Sequence, residues 1–396
     1  MVSGGYVGKS LLVDLSSNRM EDLPLDDGMK RDFIGGYGVG VKLLYQWQKA
    51  GVDPLGPDNT LGITTGPLTG TPALVGSRYT VLGKSPLTGA WGDSNSGGFF
   101  GPRLKFAGYD AVYFRGVSDK PVYLLLDEGK AELHDACELW GADTIETEDR
   151  LKEIYGKSAE VACIGPAGEK LSLISGVINN HGRAAATCGL GALMGSKKLK
   201  AVVARGSLEV PLADKAKVND LRRRYRKDMS GRLFDNFSKF GTCVSVAANT
   251  MRGDTPVKNW GGVGVRDFTG AEAISDVNVI KYQTKKYACY RCPIACGGLM
   301  EIPSGPYPVG GGAKKPEYES LASLGSLCLN GNVESIIKMN DMCGRFGFDT
   351  ISVGGAIAFA MECYENGIIS REDTDGLDLS WGNHASMVAL LDKMGR

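Results

Sequence analysis

The residue pattern changes character near residue 205, and that change decides the broad fold class. Before it, short runs at 10–14, 78–82, 110–115 and 121–126 have strand length and strand composition, with Gly, Pro, Asn and Asp between them. Helical stretches interrupt at roughly 32–50, 102–107, 142–155 and 189–199, and 200–205 reads as a last strand before a polar linker. After it, 333–346 and 351–365 read as helices, the second so apolar and small that burial is expected. The basic run at 215–229, with Arg222, Arg223, Arg224 and Arg226, reads as a solvated helix face. The expectation is an α+β protein with a β-rich domain over 1–205 and a mainly helical one over 206–396. A length of 396 residues agrees with more than one domain.

Composition narrows the function. Lys+Arg and Asp+Glu each number 45, so the chain lacks the basic excess of a nucleic-acid binder. No apolar run reaches the ~18 residues of a membrane span, and the start shows no secretory signal, so a cytoplasmic protein away from membranes is expected. Three histidines argue against a His-rich zinc or di-iron site and against most Ser-His hydrolases. Glycine, at 56 residues, is about twice as frequent as the ~7% average. It clusters without a period, as at Gly35–Gly36, Gly97–Gly98 and Gly310–Gly312. Such clusters let backbone approach a ligand closely, because no Cβ intervenes.

The strongest local signal is Cys289-Tyr-Arg-Cys292-Pro-Ile-Ala-Cys296. Three thiolates within one turn-forming stretch can face a cubic [4Fe–4S] cluster. Zinc would more often use a second Cys-x-x-Cys knuckle, which the chain lacks, and structural thiols are the plain alternative. Cys328, Cys343 and Cys363 are available as a fourth ligand, but each lies in a helix-like stretch where a small buried cysteine is commoner. A cluster in such a chain implies electron transfer.

The Gly-rich loops match no dinucleotide or P-loop fingerprint. They still offer what a pyrophosphate needs. Arg183 and Ala184 precede a helix start at Gly189, and Arg78 accompanies Asn95 and Gly97. Tight turns in a Gly-rich sheet are the alternative.

These residues carry a resemblance. Gly66-Pro-Leu-Thr-Gly70, Ser77-Arg78-Tyr79, Lys84-Ser-Pro-Leu-Thr-Gly89, Asn95-Ser-Gly-Gly98 and Leu104-Lys-Phe-Ala-Gly-Tyr-Asp110 closely resemble aldehyde:ferredoxin oxidoreductases. The likeness continues through Ile164-Gly-Pro-Ala-Gly-Glu169, Gly182-Arg-Ala-Ala185, the cysteine motif, Pro316-Glu-Tyr-Glu319 and Gly347-Phe-Asp-Thr-Ile-Ser352. The resemblance implies a tungsten (or molybdenum) bis-molybdopterin cofactor seated on an N-terminal domain of two β-sheets, followed by helical domains. It implies that Arg78, Asn95, Gly97, Arg183 and Ala184 hold pterin phosphates and their magnesium, and that Asp349 hydrogen-bonds a pterin. Cys289, Cys292 and Cys296 would ligate the [4Fe–4S] cluster, and Glu319 would transfer a proton in aldehyde oxidation. Glu319 also suits a surface helix start, where Glu317 is the better dipole partner. Ferredoxin or an iron–sulfur partner subunit would accept the electrons, and a homodimer is possible.

The sequence also departs from the family pattern. Gly344 and Phe348 replace an Asp and a Leu of the D-x-x-G-L-D motif, Thr187 replaces an arginine of the pterin loop, and Lys338 stands where some members place a metal-holding glutamate. Family members run well beyond Arg396, and the fourth cluster cysteine is expected in that further part. Two other readings stay open: a catalytic subunit of a low-potential complex reducing aromatic-ring thioesters, and a non-catalytic iron–sulfur electron-transfer subunit.

Overall fold

The computed structural model describes residues 4–396. The chain divides into two compact units. The first comprises Met1–Met229 with Cys289–Pro293 and Arg345–Phe348; the second comprises Ser230–Ala288, Ile294–Gly344 and Asp349–Arg396.

The first unit holds two six-stranded sheets, as the resemblance implies. Strands β1 (Lys9–Asp14), β2 (Arg19–Pro24), β3 (Leu61–Thr65), β4 (Tyr79–Lys84), β5 (Trp91–Ser96) and β6 (Ala111–Arg115) form one, in the order β2-β1-β6-β3-β4-β5. Strands β7 (Val122–Asp127), β8 (Lys130–Asp135), β9 (Glu160–Cys163), β10 (Val177–Asn179), β11 (Arg183–Ala185) and β12 (Leu199–Arg205) form the other, in the order β11-β10-β9-β12-β7-β8. The period-2 alternation of β-strands divides their faces. Leu124 and Leu126 of β7 and Val202 and Ala204 of β12 join Leu11, Ile63, Val81 and Phe114 of the first sheet in one core. Tyr123, Ala201 and Val203 point the other way, into a second core shared with Leu151 of the helix Thr144–Tyr155.

Three lysines are fully buried in this unit. The Lys105 ammonium donates to the carbonyls of Gly5 and Gly66 and lies 3.5 Å from Asp110. Asp110 in turn accepts from the backbone N–H groups of Val7 and Gly8, which ties the N-terminal lead to the sheet. Lys197 reaches the carbonyls of Pro57 and Gly116, and Lys200 pairs with Glu169. Desolvation pushes the Lys105 and Lys197 ammonium groups down to about 8.

The expected helix over 32–50 is instead two, Asp27–Phe33 and Tyr37–Trp47. Ile34 (φ 63) and Gly36 (φ 52) turn the backbone left-handed between them. The stretch 189–199 yields a shorter helix, Leu190–Ser196, because Lys198 (φ 54) ends it and Leu199 opens β12. The helix Lys215–Asp228 buries no residue, as its charge run implies.

In the second unit the helix Val333–Phe346 extends two residues beyond the unit's own segment, and Thr350–Glu365 follows. The latter is not buried all round. Val353, Gly354, Ile357, Ala358 and Met361 form a buried stripe at helical spacing, while Phe359 is 63% exposed. The unit also contains strands the sequence reading did not foresee: a short pair, β13 (Pro256–Val257) with β14 (Gly262–Val263), and an antiparallel sheet of β15 (Gln283–Tyr287), β16 (Gly297–Ile302) and β17 (Val309–Lys314). β15 is polar and β17 is half glycine, so neither shows the hydrophobic alternation that marks a strand. Among the described residues, no helix is long and apolar enough to cross a membrane.

Candidate functional site

The site is built around the backbone at Gly97–Gly98. β4 and β5 pair antiparallel, with Thr80 opposite Asn95 and Tyr79 opposite Ser96. Beyond Ser96 the chain turns at Gly98 (φ 91) into the helix Phe100–Phe106. The exposed Arg78 side chain donates from Nη1 to Asn95 Oδ1 at 2.8 Å, and Asn95 Nδ2 donates to the Tyr37 hydroxyl at 2.7 Å. This chain of bonds orients the guanidinium and leaves it solvent-facing.

The hairpin of β10 and β11 supports that backbone. Its turn, Asn180-His181-Gly182, runs through three consecutive left-handed residues. Asn179, fully buried, accepts at Oδ1 from the Tyr79 hydroxyl (2.9 Å) and from Ser96 Oγ (2.8 Å). Its Nδ2 donates to the Gly97 carbonyl (3.0 Å) and to Asn180 Oδ1 (2.9 Å). Asn180 Oδ1 accepts from the Phe99 N–H at 2.8 Å. Asn179 pairs across the hairpin with Arg183, and Ala184 follows, exposed on the edge strand. The two sheets are thereby stitched together: Gly97 is part of the stitch, Arg78 and Asn95 each adjoin a bonded residue, and Arg183 is the cross-strand partner of Asn179. Sequence reading missed Asn179 and Asn180. The available signal was Asn-Asn-His-Gly between two apolar runs, residue types that tolerate left-handed turns and bond nearby backbone.

The first part of the cysteine motif belongs to this same unit. The Tyr290 N–H donates to the Gly98 carbonyl at 3.1 Å, and Arg291 accepts at its carbonyl from the Val75 N–H at 3.1 Å. The Cys292 N–H donates to the Cys289 carbonyl at 3.1 Å, closing a turn through Arg291 (φ 53). A Cβ added at Gly97 would stand 2.9 Å from Cys289 Sγ, so glycine alone lets that sulfur lie against the strand end. Gly97→Ala should therefore cost about 1–3 kcal/mol of stability by overpacking and lower bound iron. Thermal unfolding and iron analysis check both; a variant with full iron and an unchanged melting temperature would show that the contact matters little.

Cys296 comes next in the motif, after Ala295 (φ 51), and immediately precedes β16. All three motif thiols are half-buried, and among the described residues no cysteine is disulfide-bonded. Donor type, spacing and the two left-handed turns fit a cluster, although among the described residues no set of three His, Cys, Asp or Glu stands gathered to hold a metal. The buried cysteines differ. Burial pushes the Cys243 thiol up to about 12 and those of Cys328 and Cys343 higher still. Cys328 Sγ already donates to the Ser323 and Gly354 carbonyls. A ligand must be a thiolate, so these two are poor fourth ligands. Cys363 is half-buried on the helix Thr350–Glu365.

In the second unit Glu319 lies exposed in the first turn of the helix Tyr318–Leu324. Glu317 takes the capping position: its carboxylate accepts from Thr242 Oγ1, which itself accepts from the Tyr318 N–H at 2.8 Å. The helix start thus uses Glu317 and leaves Glu319 to solvent. Asp349 is buried as the N-cap of Thr350–Glu365, accepting from Ser352 Oγ at 2.6 Å and from the Ile351 N–H at 3.2 Å. Any pterin bond would be made in addition to these. Of the substituted positions, Thr187 donates to the Asp93 carbonyl, and Lys338 reaches the Pro308 carbonyl.

Comparison with known proteins identifies the family of the chain. The model for "Aldehyde ferredoxin oxidoreductase, N-terminal domain" matches residues 10–206, and that for "Aldehyde ferredoxin oxidoreductase, domains 2 & 3" matches 217–396. The chain belongs to the aldehyde ferredoxin oxidoreductase family. A tungsten-containing aldehyde ferredoxin oxidoreductase of Pyrococcus furiosus is 39% identical, aligned over 99% of this chain and 64% of its own length. Its counterpart from Thermococcus kodakarensis is likewise 39% identical, over 98% and 64%. A P. furiosus protein named "Aliphatic sulfonate oxidoreductase, WOR-like subunit" is 33% identical over 98% and 64%. Among solved structures, the active-site complex BamBC of benzoyl coenzyme A reductase with 1,5-dienoyl-CoA superposes with a TM-score of 0.87 at 28% identity, covering 99% of this chain and 60% of that one. The chain thus spans somewhat under two thirds of the length of these family relatives.

Proposed function

We propose that this chain is part of a tungsten–pterin oxidoreductase that oxidises aldehydes to carboxylates in the cytoplasm and passes the electrons to ferredoxin. The observation that carries the reading is Cys289 Sγ lying against Gly97, two residues from the Arg78–Asn95 pair. It sets a ligand of the electron carrier beside the groups suited to pterin phosphate. When bound, the tungsten bis-pterin supplies two-electron oxidation and the [4Fe–4S] cluster supplies one-electron transfer.

The residues of the chain do the rest. Arg78, oriented by Asn95, and Arg183 would hold the pterin phosphates with charge-assisted hydrogen bonds, and magnesium would neutralise further phosphate charge. Backbone at Gly97 and Ala184 permits close approach. Asp349 offers a pterin its remaining acceptor capacity. Glu319, held on a helix start but unused by it, moves the proton released as water becomes carboxylate oxygen. The likeness to the benzoyl coenzyme A reductase complex favours the second reading, reduction of aromatic-ring thioesters, but the tungsten aldehyde enzymes are nearer in sequence.

Metal analysis of purified holoenzyme tests the proposal. Tungsten with pterin and iron is expected; iron alone would point to an electron-transfer subunit. Arg78→Met and Arg183→Met are each expected to lower tungsten and pterin content while circular dichroism stays unchanged. Unaltered tungsten in both variants would refute the phosphate-binding role.

A further inference from the structure

Lys315 follows β17, where its backbone N–H donates to the Gly298 carbonyl of β16 at 2.8 Å. That register sets it near Cys296, the residue immediately before β16. The side chain is 5% exposed, and among the described residues its Nζ has no hydrogen-bond partner. Gly241 (φ 70) closes the space. A methyl carbon built there would stand 2.8 Å from the Cys296 carbonyl oxygen and 3.3 Å from Lys315 Nζ. Lys315 Nζ and the Cys296 backbone are therefore close neighbours around Gly241.

The other ionisable groups facing Lys315 are Cys243, Glu317 and Lys286. The Cys243 S–H is committed to the Pro316 carbonyl at 3.0 Å. The Glu317 carboxylate is turned to Thr242, and Lys286 bonds Ser238 Oγ at 2.9 Å. A buried ammonium with no acceptor is costly, and native structures seldom keep one. An anionic group on the Cys296 side would relieve that cost.

From this geometry we infer that Lys315 is a buried cation facing the iron–sulfur cluster at Cys296, and that it raises the cluster's reduction potential. The inference rests on the cluster reading of Cys289, Cys292 and Cys296. Thiolate ligation makes the cluster anionic, and reduction adds one electron and one negative charge, with no bond made or broken. A nearby ammonium in a poorly solvated space favours the more negative form. Lys315 contacts neither substrate nor pterin in this role; it acts through the cluster.

The test is a potentiometric titration of the holoenzyme followed by electron paramagnetic resonance, beside iron analysis, for Lys315→Met and Lys315→Arg. Lys315→Met should lower the reduced-to-oxidised ratio at a fixed potential about tenfold, or 59 mV for a one-electron couple. Lys315→Arg keeps the charge and should keep the wild-type ratio. Loss of iron in the Met variant, with full iron and a wild-type ratio in the Arg variant, would equally support the role of the charge. A Met variant with full iron and an unchanged ratio would overturn the inference, as would loss of iron from both variants, which would make Lys315 a packing element. Wild-type holoenzyme free of iron would overturn the cluster reading itself, and this inference with it.

Discussion

Glu319→Gln is expected to lower aldehyde turnover by about 10²–10⁴-fold, the usual share of a general acid or base, while tungsten and iron contents stay at wild-type levels. The structural basis is a division of labour at one helix start. Glu317 and Thr242 cap Tyr318–Leu324, so the fold does not depend on the Glu319 carboxylate. Glutamine keeps the shape and the exposure and loses only the ability to take and give a proton near neutral pH. A viologen-linked aldehyde assay, run beside metal analysis, separates the outcomes. Undiminished turnover would remove Glu319 from the mechanism. Lost tungsten would make it a group that holds the site rather than one that moves a proton.

Cys292→Ser should abolish the visible charge-transfer absorption of the holoenzyme and remove about one cluster's iron per chain, because a serine oxygen is a poor substitute for a thiolate. The substitution is mild for the backbone. What the turn uses at this position is the N–H, which donates to the Cys289 carbonyl, and serine retains it. Melting temperature should therefore fall only as far as the cluster itself stabilises the fold, as with any ligand bound only by the native state. Full iron with an unaltered spectrum would reject Cys292 as a ligand. Cys328→Ser offers a contrast, since that thiol is buried against two carbonyls, and its replacement should leave the spectrum intact.

Much of this molecule was legible without its structure, for reasons that can be assigned to particular residues. The runs that became β1, β4, β6, β7 and β12 are apolar, β-branched and bounded by turn residues, so local chemistry alone marks them as strands. The cysteine spacing marks these three residues as candidate cluster ligands, because three thiols in eight residues suit that chemistry. Arg78, Asn95 and Arg183 stood out as polar groups within Gly- and Ala-rich loops.

What the sequence could not convey were features made by contacts between distant segments. Asn179 is one of many asparagines until Tyr79, Ser96 and Gly97, 82 to 100 residues earlier in the chain, close around it. Gly97 reads as a loop residue until Cys289 is packed against it. β15 and β17 carry no hydrophobic pattern of their own and exist because β16 lies between them and supplies the hydrogen bonds. Proline and acids at 316–319 already favoured Glu317 as the helix-start partner, but its bond to Thr242, which no spacing rule connects to that helix, needed the structure. Composition and local pattern determined which elements form and what chemistry they carry. Only the tertiary structure decided which polar groups are consumed in holding the fold and which remain for a ligand, because that depends on pairings a linear pattern does not encode.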